Sequence, residues 1–87
     1  MHVEVELFGI PRARAGVAST TADGCNLGDI LANLAARYPQ LAETCIDGRS
    51  LRPGFIVNLG AKQFVTSPET PIREGDTVLL LSLDAGG

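Results

Sequence analysis

Few groups in this chain can do covalent chemistry. They are Cys25 and Cys45, the single histidine His2, the single lysine Lys62, and the carboxylate that closes the segment Asp84-Ala85-Gly86-Gly87. The two cysteines form no Cys-x-x-Cys pair, and His2 cannot complete a zinc site with them, so no metal-ligand set is expected. His2 opens a strand far in sequence from either thiol, which argues against a Cys–His nucleophile. In a reducing compartment two such cysteines are expected to be free. The tail is different. Gly86 and Gly87 have no β-carbons, so this segment can enter a channel too narrow for side chains. The group it would present is the α-carboxylate of Gly87, which no side chain crowds.

A tail of this kind needs a small, stable body behind it. Residues 2–8 alternate, with Val3, Val5 and Leu7 on one side and His2, Glu4, Glu6 and Phe8 on the other, which predicts a half-buried strand. Residues 9–16 contain Pro11 and Gly16 and are expected to be a loop or wide hairpin carrying Arg12 and Arg14. Residues 17–22 read as the returning strand, and Asp23-Gly24 as a turn. Asn26 is a favoured helix N-cap, with Asp29 three positions on. Leu27, Ile30, Leu31, Leu34 and Tyr38 then recur at helical spacing, and Pro39 ends the helix near Arg37. Residues 41–54 hold Asp47-Gly48 and Arg52-Pro53-Gly54 and are expected to be irregular. A strand follows over 55–59, a turn at Asn58-Leu59-Gly60, and a short strand around 62–65. Ser67-Pro68 and Thr70-Pro71 mark loop, and Glu74-Gly75-Asp76 a tight turn. The continuously apolar run Val78-Leu79-Leu80-Leu81 reads as a central strand over 77–83. The first and last strands are the most apolar, so they are placed side by side and parallel at the centre, which sends the chain end off the sheet.

Composition narrows the function classes. The chain has 87 residues, 45% hydrophobic and 20% charged, as expected of one globular domain. No apolar run approaches the ~18 residues of a membrane span. The start, Met1-His2-Val3-Glu4, shows no secretory signal, so a cytoplasmic location is expected. The net charge is −3 with scattered basic residues, unlike the basic stripe of a nucleic-acid binder. No phosphate loop of the GxxxxGK[ST] form occurs, so no cofactor is expected on this chain.

The order of the short segments resembles the ubiquitin-like β-grasp sulfur carriers of the MoaD/ThiS family, the molybdopterin synthase small subunit most of all. The residues that carry this are Leu7-Phe8-Gly9, Ala15-Gly16, Leu27-Gly28-Asp29-Ile30-Leu31, Arg37-Tyr38-Pro39, Leu51-Arg52-Pro53-Gly54-Phe55, Thr70-Pro71-Ile72, Glu74-Gly75-Asp76 and Ala85-Gly86-Gly87. The resemblance implies an α+β fold: a mixed sheet of four to five strands with one main helix on one face, spanning residues 1–83, and a flexible tail over 84–87. It implies a carrier rather than an enzyme. An activating, ubiquitin-activating-like adenylyltransferase would use ATP to adenylate Gly87. A sulfur donor enzyme would convert the adenylate to a thiocarboxylate, and an acceptor synthase subunit would use that sulfur, in molybdopterin cofactor biosynthesis or a related pathway. One stretch departs from the family: Ser82-Leu83-Asp84 precedes Ala-Gly-Gly where proline or small apolar residues are common, and Asp84 places a negative charge near the reacting group.

Docking such partners needs an exposed apolar patch. With Val78 and Leu80 assigned to the core beside Val3, Val5 and Leu7, alternation puts Leu79 and Leu81 on the open face with Phe8. Asp84 and Ala85 would join that contact. Two other functions fit a β-grasp with this tail: a protein modifier conjugated through Gly87, and a non-covalent interaction domain. Lys62 is the only lysine, so branched polymers of a modifier are not expected.

Overall fold

The computed structural model describes residues 2–83. In chain order its elements are β1 (His2–Leu7), α1 (Ile10–Ala15), β2 (Ser19–Asp23), α2 (Leu27–Arg37), α3 (Pro39–Cys45), β3 (Ile46–Asp47), β4 (Ser50–Leu51), β5 (Phe55–Leu59), β6 (Gln63–Val65) and β7 (Thr77–Ser82). Five strands form one mixed sheet in the order β2-β1-β7-β5-β6, while β3 and β4 pair separately. The first and last strands, β1 and β7, lie together in the interior and run parallel, with Val5 opposite Val78 and Leu7 opposite Leu80. All other pairs in the sheet are antiparallel. This is the expected β-grasp arrangement, and α2 is its main helix.

Strict alternation in β1 and β7 sorts residues to two faces. Val3, Val5, Leu7, Val78 and Leu80 are buried, with Val57 and Leu59 from β5. They meet Leu27, Ile30, Leu31 and Leu34 of α2 and Leu41 and Cys45 of α3 in one core. The helix starts as its sequence demands. Asn26 Oδ1 accepts the Asp29 N–H at 2.8 Å. The reciprocal bond runs one residue further back, since Asp29 Oδ2 accepts from the Cys25 N–H at 3.1 Å rather than from the cap residue. The Asp29 carboxyl is held below its ordinary pKa, most by the Cys25 amide and also, against its desolvation, by the Arg49 guanidinium beside it. The Arg49 guanidinium also packs so closely on Gly28 that a β-carbon there would lie 2.7 Å from it. In this way the β3–β4 hairpin is pinned to the first turn of α2.

Two segments expected to be irregular are helical. Residues 10–15 form α1, because Pro11 stands in the first turn, where a missing N–H costs nothing, and Gly16 supplies a left-handed C-cap (φ 80°) whose N–H donates to Arg12 O. Residues 39–45 form α3, in which Pro39 both ends α2 and begins the next helix. The first half of the expected 41–54 loop is therefore ordered by Leu41 and Cys45, one helical turn apart and both buried.

Candidate docking face

Helices cover one side of the sheet, and the register fixes what lies on the other. Glu6 stands opposite Leu79; Leu79 stands opposite Asn58 and Leu81 opposite Ile56; Asn58 stands opposite Phe64. Directly paired residues share a face. The open face therefore reads, from β1 to β6, as an acidic row followed by an apolar field. Glu4 and Glu6 are exposed. Leu79, Leu81 and Ile56 are half-buried, and Phe64 is 65% exposed.

Phe8 extends β1 by one step. Its N–H donates to Leu80 O at 3.1 Å, which continues the alternation and turns the side chain to the open face, where it is 39% exposed. Leu83 follows β7, 63% exposed, with its N–H on Gly54 O at 2.7 Å. The expected group of Phe8, Leu79 and Leu81 is thus brought together on one face. Asp84, Ala85, Gly86 and Gly87 lie outside the described residues. Ile56, Asn58 and Phe64 belong to the same face and escaped the sequence reading. The period-two pattern of 55–59 was available to find the first two, but β6 is only three residues long and too short to show a pattern.

Asn58 is the anomaly of this surface. Its side chain is 9% exposed, and Oδ1 meets no hydrogen-bond donor among the described residues. Buried carbonyl groups of this kind are almost always paired.

The other reactive groups stay apart from it. Cys25 is exposed, Cys45 is buried, and both are free. Burial pushes the Cys45 thiol up to about 11. His2 Nδ1 pairs with Asp23 Oδ1 at 2.7 Å across the β1–β2 edge, with neither thiol. Among the described residues no cluster of three His, Cys, Asp or Glu side chains could hold a metal ion, and no helix is long and apolar enough to cross a membrane. Lys62 sits in the β5–β6 turn, beside a cleft it lines with Arg73 and Asp76. Gly60 of that turn donates to Thr77 O at the start of β7, so the lysine lies at the end of the sheet opposite Leu83.

Comparison with known proteins bears on the family and the fold. The model of the ThiS family matches residues 5–87. The fold is similar to the crystal structure of SAMP1 from Haloferax volcanii, at 22% identity and TM-score 0.81 over the whole of both chains. It is also similar to a chain of the Amycolatopsis orientalis BexX/CysO complex, at 24% identity and TM-score 0.80 over 98% of this chain and 99% of that one. Mycobacterium tuberculosis CysO, described as an antigen, is 28% identical with TM-score 0.75 over 92% of this chain and 97% of that one. Comparison with curated proteins gives no match.

Proposed function

The chain belongs to the ThiS family, and from that premise we propose that it is a sulfur carrier working through Gly87. A carboxylate is a poor electrophile. In the proposed cycle a carboxylate oxygen of Gly87 attacks the α-phosphorus of ATP on an activating adenylyltransferase, and pyrophosphate leaves. Hydrosulfide supplied by a donor enzyme then attacks the glycyl carbonyl, AMP leaves with the electron pair of the acyl–oxygen bond, and the sulfur loses its proton. The resulting thiocarboxylate carries a soft, ionised sulfur that attacks a small electrophilic metabolite on an acceptor synthase subunit. ATP belongs to the activating partner, and this chain contributes the tail and the docking face.

The observation that carries the proposal is a family match running through Gly86 and Gly87 on a domain that leaves one sheet face uncovered. Phe8, Leu79 and Leu81 are assigned to partner contact there, with Asp84 and Ala85 beside them. The core of such a contact tolerates charge poorly. ATP–pyrophosphate exchange on the cognate activating enzyme tests both parts. The wild-type chain is expected to support exchange, and deletion of Gly87 to abolish it. Leu81→Arg is expected to raise the concentration needed by tenfold or more, on the order of one interfacial hot spot, while melting near the wild-type temperature. Undiminished exchange without Gly87 contradicts the proposal.

A further inference from the structure

We infer that Asn58 is a partner-selecting residue of the open face, resting on the docking role proposed for that face. Its carboxamide oxygen accepts an N–H or O–H from a protein partner whose contact surface is apolar at the centre and basic along one rim.

Packing alone gives no reason for an amide here. Asn is disfavoured in strands, and the residues around it are Ile56, Val57, Leu59, Leu79 and Phe64. The alternation of β5 sends Val57 and Leu59 to the core, where they are buried, and Asn58 to the opposite side. There Oδ1 is screened from water and has no donor among the described residues, so the free domain carries the cost of an unmade hydrogen bond. A docked partner can remove that cost. Phe64, the direct cross-strand neighbour, is 65% exposed and has room to swing, and the terminal torsion of an Asn side chain is soft. Either movement brings the oxygen to the surface.

Charge indicates the rest of the partner. Glu4 and Glu6 are exposed on β1, two strands from Asn58 and so about 10 Å away at ordinary strand spacing. No basic side chain is paired with either among the described residues. A partner seated over Leu79 and Asn58 therefore meets this acidic row at its edge, and basic residues there complement it. An apolar surface without the donor leaves Oδ1 as unpaired as it is in the free domain, so a partner that carries the donor is preferred by the worth of the hydrogen bond gained.

The test is the affinity of the intact chain for its purified cognate activating adenylyltransferase. Asn58→Leu is expected to melt at or above the wild-type temperature, because an orphaned polar group is replaced by an apolar one. It is expected to bind roughly tenfold or more weakly, because the partner's donor is left unpaired. The double variant Glu4→Gln, Glu6→Gln is expected to bind more weakly at low salt and to lose part of the salt dependence. Wild-type affinity for Asn58→Leu overturns the inference, as does a lowered melting temperature, which would make the amide a structural group. Leu81→Arg separates the two levels: if it binds normally, the docking role of the face fails, whereas if it alone weakens binding, the face stands and only the selecting role of Asn58 falls.

Discussion

Cys25 and Cys45 show how far surroundings decide chemistry at the scale of one residue. Cys45 is buried, with its thiol held up at about 11, and Cys25 is exposed. Only the thiolate reacts. With an aromatic disulfide reagent near pH 7.5 the native chain is expected to release about one equivalent quickly, and the second only on denaturation. Equal rates at both thiols would show that Cys45 is not shielded. Ala61 is the other residue whose setting can be tested. It is the sole non-glycine at positive φ among the described residues (φ 60°), beside Gly60 at 61°, in the β5–β6 turn. A residue with a β-carbon is strained there, so Ala61→Gly is expected to stabilise the domain by about 0.5–1 kcal/mol in urea unfolding, net of the entropy glycine loses on folding. A turn was expected at Asn58-Leu59-Gly60, but Asn58 and Leu59 belong to β5 and the turn falls at 60–62. The strain at Ala61 was not legible, because alanine by itself signals nothing about φ.

At the scale of elements, the hydrophobic period decides what a sequence reveals. β1, α2 and β7 repeat long enough to be read with their buried faces, and Leu34 is the clearest case, fully buried against the sheet. Leu34→Asp places an unpaired charge in that core, at a cost of several kcal/mol. The cooperative thermal transition is expected to vanish; a melt like that of the parent would show that α2 presents another face. The short helices α1 and α3 are harder to see. Six and seven residues give under two turns of pattern, and both carry a proline in the first turn, a residue that also marks loops. Pro11 and Gly16 act here as a first-turn residue and a C-cap, and only the packing of Pro11 and Leu41 into the core decides between the two meanings. β6 was expected around 62–65 and is found at Gln63–Val65, but three residues show no face, so Phe64 and the polar position beside it on the open face went unread.

At the scale of the whole molecule, placing β1 beside β7 in parallel does two things. It fills the core with both strands, and it aligns Phe8, Leu79 and Leu81 on the uncovered side. Lys62, the one lysine of the chain, lies at the end of the sheet opposite Leu83. These relations follow from alternation and strand order, which is why the face was legible in outline. Alternation already put Glu4 and Glu6 on the side of Phe8, but that this row flanks Leu79 and the buried amide depends on register, which only the folded pairing supplies. The most direct test of sulfur carriage is the intact mass of the chain after incubation with its activating enzyme, ATP and a sulfur donor. A sulfur carrier gains the difference between sulfur and oxygen, in a form that an alkylating reagent tags at Gly87, and loses that gain when Gly87 is deleted or one residue is added after it. An unchanged mass, or a label found only at Cys25 and Cys45, would contradict it.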